Sequence, residues 1–459
     1  MKYYANTGGG PTLQPIDIGH PDYLCLIEPD TAFWALVKHD KMAKVFTGGE
    51  LMNAFSKKAG IFKEEMEVLR FTQTPSAVYF NPTERCNLNC SYCYIPEKMR
   101  HDGHHMSEKR LLEALELLKK YFTTTLPAGT LPQVIFHGAE PLINRDAVFS
   151  GIDRFRNDFL FGLQTNATLL DEPAVEFLKS RNVSIGVSLD GPTAEVAGRT
   201  RKGWDWKGVY KKVTGAMELL KGYRKWSVIC TITNNNMRYL TRLVEFFHKM
   251  EVPTCMLNVV RCTLEPSRAD KAEDMAVSGH FIKALDRTRE LYEETGRKLP
   301  VANFANILLA IIAPTARRLM CDISPCGGGR CFFAVAPGGD LFPCNEFIGL
   351  EPFNGGNIFN DDINQVLVSS SFGLVTGRKV EDIKSCGSCA IRHFCGSPCP
   401  AEAIEMNGGM ENRGAFCKFY EEQVRYAFRV IADDRQDSYL WDGWERDTVG
   451  TFAFTKHSI

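Results

Sequence analysis

The chain has 459 residues, 44% of them hydrophobic and 24% charged, and its 54 basic and 55 acidic residues leave a formal net charge of -1. So apolar a chain can bury a core, which excludes disorder as the main state, and its balanced charge excludes a global field for holding nucleic acid. No apolar run reaches the roughly eighteen residues of a membrane span, and the opening MKYYANTGGG lacks the basic and apolar regions of a secretory signal. These features predict a cytoplasmic protein with no nucleic-acid or membrane partner.

Residues 1–75 form the first predicted unit. After a Gly- and Pro-rich opening, YLCLIE (23–28) and FWALVK (33–38) read as strands, and the spacing of Leu51, Phe55, Met66 and Leu69 predicts a helix. From 76 to 310, strand-like runs alternate with amphipathic helices such as 108–122 and 175–181. The strands are SAVYFN (76–81), QVIFHG (133–138), FGLQTN (161–166), VSIGVSLD (183–190), WSVICTIT (226–233) and TCMLNVV (254–260). Six strands with helical crossovers predict an α/β fold, a parallel sheet with right-handed connections that is flat or curled toward a barrel. Ligands on such sheets sit at the carboxyl ends of the strands. In residues 311–425 Gly, Pro and Cys rise and long periodic segments vanish, which predicts a small domain held by metal clusters. Residues 426–459 form a tail.

Sixteen cysteines are too many for a reducing compartment unless they bind something. Three lie within 86–93 and nine between 321 and 417, and such clustering points to metal or iron–sulfur ligation. Cys86-Asn-Leu-Asn-Cys90-Ser-Tyr-Cys93 follows the first strand of the large sheet. Three thiolates can hold three irons of a cubane and leave the fourth open for a small molecule, whereas a four-cysteine site usually only transfers electrons. A zinc loop is the competing reading, although C-x3-C-x2-C with an aromatic before the last Cys is an uncommon zinc spacing.

This loop resembles that of the radical S-adenosylmethionine (radical SAM) superfamily. The resemblance implies a partial (β/α)6 TIM-like barrel and a [4Fe-4S] cluster on Cys86, Cys90 and Cys93 whose open iron binds the amino and carboxylate groups of SAM. One electron then cleaves the sulfonium, giving methionine and a 5′-deoxyadenosyl radical that abstracts a substrate hydrogen. Tyr92 matches the aromatic bordering the adenine. Gly138-Ala139-Glu140-Pro141 resembles the Gly-Gly-Glu-Pro stretch whose backbone receives the SAM amino group, with Ala139 departing from the second glycine. Asn166 matches a residue reaching the ribose or carboxylate, and Ser188 and Asp190 match residues holding SAM hydroxyls. Arg199 matches a position from which a guanidinium could grip the SAM carboxylate through two parallel hydrogen bonds.

The second cysteine group resembles the SPASM extension of these enzymes. That implies two further [4Fe-4S] clusters, one on Cys321, Cys326, Cys344 and Cys399 and the other on Cys386, Cys389, Cys395 and Cys417. Cys331 competes for the place of Cys321 or Cys326. Cys25, Cys230, Cys255 and Cys262 are left as core residues. A polyferredoxin-like electron carrier would need neither the open triad nor the strand-end motifs. Within the SPASM group, sulfatase-maturating enzymes carry a catalytic Asp where this chain has Asn345, and an amide cannot take the proton such an oxidation releases. The stretch around Asn345 looks more like that of maturases installing thioether or carbon–carbon crosslinks on ribosomally made peptides. Sulfatase-type oxidation of Cys or Ser to formylglycine is the alternative. The implied partners are a precursor peptide and a reductant such as flavodoxin or ferredoxin, with the N-terminal unit a leader-binding element or a cap on the barrel. The residue acting as acid or base on the substrate is not assigned. His101, His104 and His105 read as a solvated loop, His137 as structural, and the basic runs RTRK (199–202) and KGYRK (221–225) as solvated faces.

Overall fold

Short apolar strands alternating with capped amphipathic helices build the centre of the molecule. The structure is a computed structural model that describes residues 12–45, 49–396 and 399–447. An N-terminal sheet contains β1 (Gln14–Ile16), β2 (Tyr23–Glu28) and β3 (Phe33–Lys38). The large sheet contains β4 (Ala77–Phe80), β5 (Gln133–Phe136), β6 (Leu160–Thr165), β7 (Ser184–Ser188), β8 (Trp226–Ile232) and β9 (Cys255–Val259), all parallel and paired in chain order. Parallel neighbours need a crossover between them. The helices Glu108–Thr125, Arg145–Phe155, Glu172–Ser180, Tyr210–Leu220 and Leu240–Lys249 supply it. Ser107 and Asp171 cap two of these helices by accepting from the backbone N–H groups of Arg110 and Ala174. This is the predicted α/β class: six sequential strands, packed through Val78, Phe80, Phe136, Leu163, Val187 and Val228, all fully buried. Because neighbouring strands end in register, the loops after Phe80, Phe136, Thr165 and Ser188 emerge at the same end of the sheet.

The sheet continues into the cysteine-rich extension. β10 (Phe332–Val335) pairs in parallel with β4 along its whole length, and β11 (Asp340–Phe342) and β12 (Gly356–Asn357) follow antiparallel. Backbone hydrogen bonds therefore cross the predicted division at residue 310. The β10–β11 turn depends on Gly339, at φ +95°, where a Cβ would lie 2.5 Å from the Phe359 ring.

β1, β2 and β3 form an antiparallel sheet covered on both faces. Ile27, Trp34 and Leu36 enter the main core, while Leu26, Phe33 and Val37 pack with Leu51 and Phe62 of the helix Gly49–Phe71. Trp34 Nε1 donates to the Ile311 carbonyl (2.9 Å), and its ring lies 5.4 Å from Phe428 in the helix Cys417–Ala432. Arg70 ties the unit to the extension by donating to the Ser324 carbonyl and pairing with Glu381. β1 lies in the opening that composition alone marks as loop. It is three residues long with Pro15 at its middle, and such an edge strand leaves no periodic signal. Among the described residues no helix is long and apolar enough to cross a membrane.

Candidate active site

The three-cysteine loop leaves the carboxyl end of β4 and is held from outside by residues 200–204. The Asn89 N–H donates to the Lys202 carbonyl and the Ser91 N–H to that of Thr200, and Trp204 Nε1 donates to the Cys86 carbonyl (2.8 Å). A tight turn from the Cys93 N–H to the Cys90 carbonyl brings the last two thiols together. Burial pushes the Cys86 thiol up to about 12 and that of Cys93 to about 11, and raises that of Cys90 as well. Such thiols stay protonated until a metal displaces the proton, as cluster ligands do.

Glu140 joins two neighbouring strand ends. Its fully buried carboxylate accepts from the Leu142 N–H (3.0 Å), the Thr165 hydroxyl (2.8 Å) and the Asn166 N–H (2.7 Å). This fixes Asn166, whose amide donates to Asn87 Oδ1 and lies 3.7 Å from the Cys86 sulfur. Before Glu140 the backbone turns at Gly138, φ +100°, where a Cβ would sit 2.7 Å from the Asn81 side chain. Ala139 is not in the left-handed region, so its departure from glycine introduces no strain. Asn81 Oδ1 is buried without a hydrogen-bond partner among the described residues and, with Gly138 and Ala139, lines a cavity of about 20 Å³.

Tyr92, between Cys90 and Cys93, donates its hydroxyl hydrogen to Asp190 Oδ2 and accepts from Arg201, each at 2.5 Å. Asp190 also accepts from the Thr231 N–H (2.9 Å) and pairs with Arg201 at 3.6 Å. All of the Asp190 carboxylate is thus engaged by the protein, whereas the Ser188 hydroxyl at the end of β7 is half-buried. Arg199 turns its guanidinium to Glu195, the Asn235 carbonyl and Tyr239. The buried cation is Arg201, within the RTRK run that sequence alone reads as solvated. A residue two positions away with the same charge gives sequence analysis no means of choosing between them. A cavity of about 250 Å³ lies against Cys90, Cys93, Arg199, Thr200, Lys202 and Trp206.

Residues 80–247 match the family described as the Radical SAM superfamily. The chain belongs to the radical SAM superfamily. Membership carries SAM and a [4Fe-4S] cluster with it, and the residues present fit them. The triad lies on one loop with Cys90 buried and Cys86 and Cys93 half-buried, the Gly138 backbone leaves a cradle that a side chain would fill, and Asn81 Oδ1 has no donor among the described residues. An uncharacterized protein of Archaeoglobus fulgidus is 38% identical over 406 residues, covering 88% of this chain and 92% of its own. The cysteine-type anaerobic sulfatase-maturating enzyme of Clostridium perfringens strain 13 is 24% identical, covering 75% of this chain and 93% of its own. The fold is also that of native anSMEcpe with bound AdoMet (TM-score 0.68, 20% identity, 79% of this chain and 100% of that one). Streptococcus suis SuiB bound to precursor peptide SuiA is similar too (TM-score 0.58, 13% identity, 86% and 96%).

In the extension of this radical SAM enzyme, Cys326, Cys344 and Cys399 share an apolar cluster with Phe342, Phe347 and Ala401. Burial raises the Cys344 thiol, and Glu346, Cys321 and Cys326 beside it raise it further. Cys386 and Cys417 act in the same way on Cys389, while Cys389 and Cys395 pack on the main core. Cys331 feels Arg330 and Cys326. Close to Cys399, Arg261 Nη1, Glu346 Oε2 and Glu402 Oε1 are buried with no hydrogen-bond partner among the described residues.

Asn345 reaches back to the large sheet, its Nδ2 donating to His137 Nδ1 at 2.5 Å. Burial pushes the His137 ring down to about 4 from an ordinary 6.5, so it is neutral near pH 7. The unfolded chain takes up a proton that the folded one refuses. The stability this gives is present above pH 6.5 and falls, by up to about 1.4 kcal/mol per pH unit, as pH drops toward 4. The stability gap between the wild type and His137→Asn should therefore narrow by about 1 kcal/mol from roughly pH 7.5 to 5.5 in anaerobic urea unfolding. A constant gap would show that the ring titrates normally. His101, by contrast, is exposed and pairs with Asp102.

Proposed function

We propose that this radical SAM enzyme modifies a ribosomally made peptide by installing a thioether or carbon–carbon crosslink, with SAM bound at the strand ends beside Cys86, Cys90 and Cys93. When bound, the cofactor pair supplies a 5′-deoxyadenosyl radical that takes a hydrogen from the substrate. The protein's part is to orient and enclose. Gly138 and Ala139 present backbone, Asn166 and Ser188 offer polar atoms, Tyr92 borders the adenine on a hydroxyl anchored by Asp190, and Glu140 fixes the loops. Arg199 lines the same cavity as Cys90 and Cys93, from which it would reach the SAM carboxylate. The observation that carries the crosslinking reading is Asn345. At that position the side chain is an amide bonded to a neutral histidine, and an amide cannot take up a proton. The unpaired atoms of Arg261, Glu346 and Glu402 support a chamber in which peptide polar groups find partners.

In this reading Cys321, Cys326, Cys344 and Cys399 hold one auxiliary cluster and Cys386, Cys389, Cys395 and Cys417 the other, within an extension spanning 311–425. The shared packing of Cys326, Cys344 and Cys399, and the influence of Cys321 on Cys344, support the first set over one using Cys331. Anaerobic reconstitution should then give about twelve irons per chain. A count near four with stoichiometric zinc would refute the auxiliary clusters. The unit 1–75 acts as a leader-binding element through the outer edge of β3, which has no strand partner among the described residues.

Incubation with a candidate precursor peptide, SAM and dithionite tests the reaction. The expected product has lost a pair of hydrogens and gives fragments joined by a new bond. Formylglycine formed from a Cys or Ser peptide, with no crosslink, would favour sulfatase-type oxidation. That second reading draws its support from the sulfatase-maturating relatives, which match three-quarters of the chain.

A further inference from the structure

Arg100 lies in the short helix Glu97–Asp102 that follows the three-cysteine loop, and it is buried. A long cationic side chain on so short a helix would ordinarily reach solvent. This one turns back across the loop. Its Nε donates to the Ile95 carbonyl (2.9 Å), and Nη1 donates to Asn89 Oδ1 (2.7 Å) and to the Leu88 carbonyl (3.4 Å). Leu88 and Asn89 precede Cys90 and Ile95 follows Cys93, so one guanidinium spans the two later cysteines. The backbone of the same residue holds the first, because its carbonyl accepts from the Cys86 N–H (2.9 Å). Trp204 completes the arrangement. The guanidinium carbon lies 5.5 Å from the centre of its ring, and its Nε1 donates to the Cys86 carbonyl (2.8 Å).

Every acceptor that Arg100 reaches is neutral, and among the described residues it forms no ion pair. Arg201, the other buried cation at this loop, has Asp190 at 3.6 Å. A charge taken out of water without a counter-charge is strongly disfavoured. The counter-charge within reach of Arg100 is the thiols themselves. Three thiolates holding iron make the loop an anion, and reduction adds one more negative charge. Burial raises the Cys93 thiol, and Arg100 is the strongest of the influences that oppose the rise. On Cys90, burial is opposed by Arg201 first and by Arg100 as well.

We propose that Arg100 is a positioning residue for the SAM-binding cluster, one that fixes the three thiols as a ligand set and favours the reduced state. The inference rests on Cys86, Cys90 and Cys93 being the ligands. Reduction brings in one electron from an external donor and changes no bond or proton, so its equilibrium depends on the charges around the site. A fixed cation in surroundings less polar than water stabilises the more negative state and raises the potential. Arginine suits both tasks, because its planar fork reaches acceptors on either side of Cys90 and Cys93, which a lysine ammonium cannot do.

The test is an anaerobic redox titration of the reconstituted full-length enzyme with dithionite, read by electron paramagnetic resonance. The signal belonging to this cluster is the part that disappears in Cys86→Ala/Cys90→Ala/Cys93→Ala. Arg100→Gln removes the charge, and Arg100→Lys keeps it while losing the fork. At the wild-type midpoint potential, Arg100→Gln is expected to hold about tenfold less reduced relative to oxidised cluster, which is a midpoint about 59 mV lower. Arg100→Lys should keep most of the wild-type midpoint, yet lose iron to a chelator faster than the wild type. A role confined to folding would lower the melting temperature or the iron content without moving the midpoint. Equal midpoints in Arg100→Gln and the wild type would overturn the proposal, and so would a shift that Arg100→Lys does not reverse. If Arg100→Gln takes up no iron at the triad while Arg100→Lys does, the charge is needed for the cluster to form, which supports the proposal. If neither takes it up, the residue serves the fold alone and the proposal falls. A signal that survives intact in the triple-alanine variant would instead strike the triad as the ligand set.

Discussion

Replacing Cys86, Cys90 and Cys93 together with alanine should abolish 5′-deoxyadenosine formation with dithionite as electron source. The three thiols lie on one loop, which backbone carbonyls and the Trp204 and Arg100 side chains position; the variant keeps these and loses only the weak contacts of the Leu88 N–H and the Asn166 amide to the Cys86 sulfur. The loop should therefore stay folded while losing its metal ligands. Iron should fall by about four per chain, leaving the extension's share in place. Chromatographic assay of 5′-deoxyadenosine and iron analysis check both halves of this expectation. Normal cleavage by the triple variant would remove the triad from the chemistry.

Replacing Arg201 with leucine should have the second-largest effect, on stability as well as cleavage. Asp190 has no exposed surface, and its carboxylate is balanced by a guanidinium that is itself nearly buried. Removing one member of such a pair strands the other charge in a dry environment, at a cost of about 3–5 kcal/mol. Tyr92 also loses the donor that fixes its hydroxyl, and it lies between two of the cysteines. The variant should unfold at distinctly lower temperature and cleave SAM at least about tenfold more slowly. Asp190→Asn added to Arg201→Leu should recover part of the stability, because no lone charge then remains. If Arg201→Leu melts with the wild type, the buried pair contributes nothing and the geometry drawn from it is wrong.

Strand-end positions were the part of this site most visible in the sequence. A parallel α/β sheet brings its carboxyl ends together, so motifs roughly 25 to 80 residues apart converge without any long-range signal being needed. Cys86, Glu140 and Asn166 meet for that reason. What sequence reading missed was set by side-chain direction and by distant pairing. Arg199 and Arg201 carry the same charge in the same run, and only the antiparallel course of residues 200–203 along the cysteine loop turns the second inward. Ala139 departs from the glycine of the resembled motif, and the positive φ of that turn lies one position earlier, at Gly138. The pairing of Phe332–Val335 with Ala77–Phe80 could not be read at all, since neither segment carries a mark of its partner.

That last pairing governs the order of assembly during synthesis. The strand leading into the three-cysteine loop has β5 on one side, but its other side stays open until residues 332–335 leave the ribosome. Until then an apolar strand edge is exposed, the state in which nascent chains associate wrongly. A contact spanning so much chain also closes slowly. Iron–sulfur loading at Cys86, Cys90 and Cys93 would therefore follow completion of the chain, after the extension has sealed the edge. Fragments ending near residue 310, although they contain every SAM-site motif, would emerge with that edge unpaired and should collect in the insoluble fraction of the cell.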